Sequence, residues 1–423
     1  MKAKFLHIYS RMARLSWYYS PLILIVFFLQ LFLLQQRAQH ISYDGSDESP
    51  AKSSLNISIP VDHLLSSAPV PATIQEIRTK IRVLNDLQLI FNGETHGGFS
   101  VAPETPVFIV QLHDRIPYIQ AIIQSLRAVR GINQSLIIFS HDVFSKEIND
   151  VIQGMQFARV MQIYYPYSIQ MYPNGYPGPD PKDAALPIGH GRKPQLAQIK
   201  LHWIWKFTQV FRHIKVLRNH TGPKIFLEED HYVSPDIIYT LNKTLQIQTK
   251  DCPKCVIILG DYPKEHRWPY LDWDQMEWSW FFSGGNNMGM VLNQRFAGVL
   301  SQCAKRFCTI DEYNWDWTLQ HLNVGCFQER LQILKVEAPR VWHVGDCGTH
   351  TSRDSKKKCG TLQQVDTLEN VKRLLRNKTD VMFPKEMRVV KKLRRNVPSS
   401  PSPYGGWADP RDHSLCLSVI KDL

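Results

Sequence analysis

The stretch that most constrains this chain is Lys224-Ile225-Phe226-Leu227-Glu228-Glu229-Asp230-His231-Tyr232. Ile225, Phe226 and Leu227 read as a buried strand, and three consecutive carboxylates stop it. A carboxylate triplet cannot run on into an apolar core without neutralisation, so it belongs at the strand's end. In open α/β sheets that end is where ligands bind. Adjacent carboxylates there suit a hard divalent cation that keeps open positions for a diphosphate. Taken alone, an acidic turn after a core strand is the plainer reading, and the rest of the chain overturns it.

The N-terminus sets the compartment. Leu15 to Leu34 is long and apolar enough to span a bilayer, with Lys2, Lys4, Arg11 and Arg14 before it and Asp44, Asp47 and Glu48 after it. The pattern predicts a cytoplasmic tail at 1–14, a transmembrane signal-anchor at 15–35, a polar stem at 36–75 and a lumenal domain at 76–423. A cleaved signal peptide fits less well, because the run is long and lacks a small-residue cleavage site. All eight cysteines lie beyond residue 250, an even number suited to disulfides in an oxidising lumen. Cys252-Pro253-Lys254-Cys255 reads as a small disulfide loop, since no second CxxC with finger spacing accompanies it. Sequons stand at Asn56, Asn133, Asn219, Asn242 and Asn377.

The net charge of +12 raises a nucleic-acid partner, which a membrane-anchored ectodomain rarely meets. Much of the excess sits in the tail and in the runs Lys356-Lys357-Lys358 and Lys391-Lys392-Leu393-Arg394-Arg395, which read as solvated faces. A basic surface also suits anionic substrates such as sugar nucleotides.

Along the chain, Ile74–Ile90 has apolar residues at helical spacing. Val107–Leu112 reads as a buried strand ending in His113-Asp114-Arg115. Pro117–Val129 follows as a helix, and Ser135–Phe139 as a strand ending in Ser140-His141-Asp142. This is a βαβ unit of the nucleotide-binding kind. Arg115 has the forked donors a diphosphate needs, and Asp142 could accept from a ribose hydroxyl or a uracil N–H; either could equally cap a helix. There is no G-x-G-x-x-G or P-loop, which argues against dinucleotides and ATP.

Val160–Tyr165 reads as a third strand, Pro173–Pro187 as a long surface loop, and Gln195–Phe211 as a helix whose tryptophans belong to the core. Val256–Gly260 is a further strand. Trp273, Trp278, Trp280, Phe281 and Phe282 offer faces for a pyranose, although packing is their commoner use. Asp316, between Trp315 and Trp317, sits in low dielectric that raises its pKa and makes it a better base. His343, in Val341–Cys347, is a strand-borne histidine that could join Asp230 on a metal. Tyr404–Asp409 is a turn-rich tail tied down by Cys416.

The anchor-stem-domain layout carries QLHDR at Gln111–Arg115, IFSHD at Ile138–Asp142 and FLEEDHY at Phe226–Tyr232. It continues with DEYNWDW at Asp311–Trp317 and HVGDCG at His343–Gly348. In this order the motifs resemble the N-acetylglucosaminyltransferase II family of Golgi glycosyltransferases, from about Ile74 to the C-terminus. The resemblance implies an α/β fold of the GT-A glycosyltransferase type, a Rossmann-like mixed sheet behind the single transmembrane helix and stem. It implies a Golgi-membrane enzyme that uses UDP-GlcNAc and Mn2+ and adds a β1,2-linked GlcNAc, with inversion, to the α1,6-arm mannose of hybrid N-glycans.

Carried residue by residue, the resemblance puts Gln111, Leu112, His113, Asp114, Arg115 and Asp142 on the nucleotide. It adds Gln198, Ile199, Lys200, Leu201 and His202 from the aromatic helix. Asp230 and His343 would ligate the metal, Asp316 would be the base and Asn287 would contact the donor sugar. A nucleotide-contacting arginine falls at His266 or Arg267, and charge favours Arg267. The loop Pro173–Pro194 is shorter than the family's and lacks its cysteine pair, which leaves one rim of the cleft undefined. Pairings implied by the resemblance are Cys252–Cys255, Cys303–Cys326, Cys308–Cys416 and Cys347–Cys359. Rival readings are a transferase of the same fold with another acceptor, an inactive glycan-binding protein and a structural Golgi-matrix protein. The last lacks coiled-coil heptads to support it. Oligomeric state stays open, a homodimer included.

Overall fold

The computed structural model describes residues 73–185, 191–345, 365–393, 399 and 402–423. The apolar run at 15–35, most of the stem, and the expected Cys347–Cys359 pair lie outside the described residues. Among those described, no helix is long and apolar enough to cross a membrane.

The strands are β1 (Ile90–Phe91), β2 (Val107–Leu112), β3 (Leu136–His141), β4 (Arg159–Tyr164), β5 (Lys224–Glu228) and β6 (His231–Val233). They continue with β7 (Val256–Ile258), β8 (Gln275–Trp280), β9 (Met290–Leu292), β10 (Gln332–Val336), β11 (Val341–His343) and β12 (Arg388–Lys391). The helices are α1 (Ile74–Leu87), α2 (Ile116–Arg127), α3 (Lys146–Gln153), α4 (Pro194–Thr208), α5 (Ile237–Asp251) and α6 (Ser283–Asn286). After them come α7 (Gln294–Gln302), α8 (Ala304–Thr309), α9 (Trp315–Gly325), α10 (Val365–Asn377) and α11 (Pro410–Ile420).

Ten strands form one mixed sheet in the order β1-β4-β3-β2-β5-β9-β7-β10-β8-β12. β4, β3, β2 and β5 are mutually parallel, so their C-terminal ends share one edge. Strands covered on both faces are apolar throughout, which is how the core of β2 reads. Val107 and Ile109 pack on one side with Trp203 and Phe207 of α4, Phe296 of α7 and Leu319 of α9. Phe108, Val110 and Leu112 pack on the other with Ile119 of α2, Ile148 of α3 and Leu241 of α5. The alternation of Cβ directions along a strand produces these two cores.

The βαβ unit, the third strand and the acidic strand stand where the residue pattern places them. Helix α1 starts at a capping box, with Thr73 accepting from Glu76 N and Glu76 reaching back to Thr73 N. It stops at Leu87, earlier than its periodicity implies, because Gln88 turns left-handed at φ 52° and Ile90–Phe91 pairs with β4 instead. Helix α4 gives way at Thr208 to a π turn over Gln209–His213, so the expected end at Phe211 falls in that turn. Trp203 stacks on Trp315 at 4.7 Å, which ties α4 to α9. Such a pair adds about 0.5–1.5 kcal/mol beyond the area it buries.

Cys252–Cys255, Cys303–Cys326 and Cys308–Cys416 are disulfides. The tail is held as expected but is not all turn. Gly405 and Gly406 take φ of 83° and 77°, a region that favours glycine. Asp409 then caps α11 by accepting from Arg411 N at 2.8 Å, with Pro410 in the first turn.

Candidate active site

At the shared edge, β2, β3 and β5 deliver their polar ends side by side. Gln111 pairs in register with Glu228, so His113–Arg115 lie against Glu229 and Asp230. His113 N donates to Glu229 Oε2 at 2.6 Å, and Arg115 forks onto the carboxylates of Glu229 and, at 3.0 Å, Asp230. His113 Nδ1 lies 2.8 Å from Asp142 Oδ1, and Gln198 Nε2 donates to Asp142 Oδ2 at 2.9 Å. Burial pulls the His113 pKa down, but Asp142 overrides it and brings it up to about 9. Burial pushes Glu229 up to about 7 against the pull of Arg115. The result is a polar rim of alternating charge along the strand ends.

The two-stranded ribbon of β6 and β11 supplies the next component. Its antiparallel register sets His343 opposite His231, and Val344 N donates to Asp230 O at 2.9 Å. Nε2 of His343 thereby lies 3.6 Å from Asp230 Oδ2. Burial raises the Asp230 pKa and His343 lowers it, with a net lowering, so the carboxylate is ionised.

Glu228, Asp230 and His231 also offer ligand atoms within 4.8 Å of one another. His231 is a poor ligand, however. Its Nδ1 accepts from Glu228 N at 3.1 Å, which leaves the proton of the neutral ring on Nε2. Burial lowers its pKa to about 3 and keeps it neutral. His343 is the histidine that can turn a lone pair to a cation.

Two observations fit a divalent ion to this corner. Asp230 Oδ1 is buried without a hydrogen-bond partner among the described residues. A Cβ at Gly345 would come within 2.7 Å of Asp230 Oδ2 and 3.1 Å of His343 Nε2, so glycine keeps the space beside both atoms open. A carboxylate and an imidazole with room for further oxygen ligands suit Mn2+ or a similar metal.

Asp316 occupies the first turn of α9, where the helix N-terminus favours a carboxylate. Its Oδ2 accepts from Asn287 Nδ2 at 2.8 Å and from Ser283 Oγ at 3.0 Å, and its Oδ1 from Trp317 N at 2.9 Å. Burial raises its pKa, with Asn287 and Ser283 pulling the other way. The upward direction is the one expected from the sequence, while the rings of Trp315 and Trp317 pack on Trp203 and on Phe282 and Tyr404. Tyr262 joins the two centres: its hydroxyl donates to Asn287 Oδ1 at 3.1 Å and its ring lies 5.8 Å from that of His343. Tyr262 thus stands between an ionised Asp230 beside His343 and the half-buried carboxylate of Asp316.

The profile of the family described as N-acetylglucosaminyltransferase II (MGAT2) matches residues 78–188 and 184–416. The alpha-1,6-mannosyl-glycoprotein 2-beta-N-acetylglucosaminyltransferase of Homo sapiens is 37% identical over 389 residues, 85% of each chain. This chain belongs to the N-acetylglucosaminyltransferase II family. The enzyme of the same name from Rattus norvegicus is 38% identical over 364 residues, covering 81% of this chain and 80% of its own. That from Arabidopsis thaliana is 27% identical over 337 residues, 75% of each. A solved structure of core-mannan synthase A from Aspergillus fumigatus aligns over 48% of this chain and 51% of its own, at 9% identity and a TM-score of 0.22, too loosely to inform the fold.

Several residues carried over from the N-acetylglucosaminyltransferase II family lie in the core. Leu112 and Leu201 are core residues, and Ile199 packs against the same core as Leu201. Lys200 is fully buried, and its Nζ donates to Glu312 O at 2.8 Å, on the segment leading into α9. His202 is buried as well, with Nε2 2.8 Å from Ser140 Oγ and its ring stacked on Tyr165. Asp114 is exposed beside His113, and Arg267 is exposed on the turn Glu265–Tyr270, as is His266.

Three residues at the site went unnamed in the sequence reading, and Glu228 was read only as a member of the acidic triplet. Lys206 donates to Gln111 Oε1 at 2.7 Å, and burial lowers its pKa to about 7 while Glu228 opposes the shift. Ser283 and Tyr262 carry no local signal, because each matters only through a partner brought by another element.

Proposed function

We propose that the chain transfers GlcNAc from UDP-GlcNAc in β1,2 linkage to the α1,6-arm mannose of hybrid N-glycans, inverting the anomeric centre, on a GT-A-type fold. Membership of the family and the names of its relatives support the donor, the acceptor and the arm. The observation that carries the mechanism is the bridge Tyr262 makes between Asn287, which holds Asp316, and His343, which adjoins Asp230.

Asp316 takes the proton from the mannose 2-hydroxyl as that oxygen forms its bond to C1 of GlcNAc. The bond from C1 to the diphosphate oxygen breaks on the opposite face, and UDP leaves with the electron pair. Inversion in one displacement needs this single carboxylate and no general acid, because UDP departs unprotonated. Asp230 and His343 would hold the metal, Mn2+ in this reading. When bound, the metal supplies positive charge that stabilises the leaving diphosphate. Asn287 and Ser283 hold Asp316 with Oδ2 occupied. His113, Asp142 and Gln198 form a preorganised polar rim for the nucleoside, and Arg115 lies beside the diphosphate position.

The chain stands in this reading as a single-pass type II protein of the Golgi membrane, anchored by residues 15–35 with the catalytic part in the lumen. Three disulfides suit an oxidising compartment, and Asn133, Asn219, Asn242 and Asn377 are all exposed for glycosylation. The test is an assay of the full-length chain with UDP-GlcNAc and an N-glycan whose α1,3 arm already carries GlcNAc, with Mn2+ or with EDTA. Metal-dependent addition of one GlcNAc to the α1,6 arm is expected. Addition to another arm, or equal turnover in EDTA, would refute the reading.

A further inference from the structure

Beside the base lies a row of aromatic rings that the packing of the fold does not use up. Phe282 is 41% exposed and Tyr404 is 61% exposed, with Trp317 partly buried between them. Ring centroids are 5.9 Å apart from Phe282 to Trp317 and 6.1 Å from Trp317 to Tyr404. Three other aromatics that the sequence offers for a sugar are engaged elsewhere. Trp273 and Phe281 are core residues, and Trp278 donates to Gln332 Oε1 at 2.7 Å with Lys391 over its ring.

We propose that Phe282, Trp317 and Tyr404 form a stacking shelf for the pyranose rings of the acceptor glycan. This rests on Asp316 being the base of the proposed reaction. The hydroxyl that gives up its proton must reach Asp316, so the sugar bearing it sits at this spot. The rest of the glycan must then run over adjoining surface. The adjoining surface is the shelf: Trp317 follows Asp316 and donates its N–H to it, and Phe282 precedes Ser283, which also donates to it.

The backbone on either side of the shelf is anchored by hydrogen bonds. Phe282 N donates to Asn286 Oδ1 at 2.7 Å, and Tyr404 N to Glu312 Oε2 at 2.8 Å. Gly405 N and Trp407 N donate to Asp311 O and Asp311 Oδ1 at 3.1 and 2.7 Å, and Cys308–Cys416 closes the segment. Apolar rings kept in water on a rigid backbone mark a contact surface. The ring planes cross at 81° and 60°, which suits a bent, branched saccharide and not a stack of parallel nucleobases. No ring carries charge, which fits a neutral sugar and not the anionic donor.

The test compares wild type with Phe282→Ala, Tyr404→Ala and Tyr404→Phe in the full-length chain. It measures acceptor KM, donor KM, UDP-GlcNAc hydrolysis and direct glycan binding by saturation-transfer NMR in the presence of UDP. Each ring-removing variant is expected to weaken acceptor binding about tenfold and raise acceptor KM to match, with donor KM and hydrolysis unchanged. Tyr404→Phe keeps the ring and should behave as wild type. Unchanged acceptor binding in both alanine variants overturns the shelf, and so does an equal rise in donor KM. If wild type transfers nothing but binds glycan through these rings, the shelf stands and the catalytic reading falls. If wild type neither transfers nor binds glycan, both fall.

Discussion

Asp230 Oδ2 and His343 Nε2 lie 3.6 Å apart because β6 and β11 pair in antiparallel register, with His343 set opposite His231. The ribbon is short and separate from the ten-stranded sheet, yet it brings a histidine to the carboxylate that follows the acidic strand. Asp230 lies in the turn between β5 and β6, where Val344 N donates to its carbonyl and Arg115 to its carboxylate, which preorganises the pair.

Gly345→Ala is expected to weaken metal binding at least tenfold while leaving the fold intact. The added methyl would stand 2.7 Å from Asp230 Oδ2, against the two ligand atoms and not against core. Mn2+ titration followed by electron paramagnetic resonance measures this directly. His343→Ala should reduce affinity further, and His231→Ala should lower thermal stability more than metal affinity, since His231 Nδ1 serves a backbone N–H. Affinity lost equally at His231 and His343 would contradict the assignment.

Asp316→Asn should lower kcat by about 10²–10⁴-fold with metal-dependent UDP binding retained. Burial raises the Asp316 pKa in the folded protein, so the carboxylate form is destabilised above that pKa and the penalty disappears as pH falls through it. Two results follow from that sign. The acid limb of kcat should have its midpoint above the ordinary aspartate value of about 3.9. The Asp316→Asn variant should melt no lower than wild type at neutral pH, which calorimetry would show.

Tyr262→Phe removes only the hydroxyl that orients the Asn287 amide. One hydrogen bond of this kind is worth about 1 kcal/mol, so kcat should fall roughly fivefold with donor KM and Mn2+ affinity unchanged. Because Tyr262 acts through Asn287, the double variant with Asn287→Ala should be no slower than Asn287→Ala alone. Additive losses would mean that Tyr262 acts by another route.

Cys308–Cys416 closes a sequence separation of 108 residues and fastens α11 to α8. Replacing both cysteines by serine is expected to cost about 2–5 kcal/mol of stability, read as a lowered denaturation midpoint. Replacing the pair Cys252 and Cys255, with a separation of 3, should cost far less.

The parallel strands and the acidic triplet were legible in the sequence because apolar runs bounded by charge report locally on burial, as at Val107–Leu112 and Lys224–Glu228. For Asp316 the upward direction of its pKa was legible from its apolar neighbours, and the structure has burial as the cause. The strand that bears His343 was legible too, but its pairing with β6 was not, since β6 is only three residues long and the pairing is non-local. Tyr262 and Ser283 were silent because an isolated hydroxyl gains meaning only from the amide or carboxylate that folding brings to it. Lys200 shows the reverse: a polar residue on the aromatic helix looks available in sequence, but it spends its donors on the carbonyls of Ile310 and Glu312.

The most direct measurement is the NMR determination of anomeric configuration and linkage in the product. Wild type and Asp316→Asn would be run side by side with UDP-GlcNAc, Mn2+ and the hybrid N-glycan. The account predicts a single β-configured GlcNAc on the 2-oxygen of the α1,6-arm mannose from wild type. It predicts almost none from Asp316→Asn, although that variant still binds UDP in a metal-dependent way. An α-configured product, a different linkage position, or wild-type turnover by Asp316→Asn would contradict it.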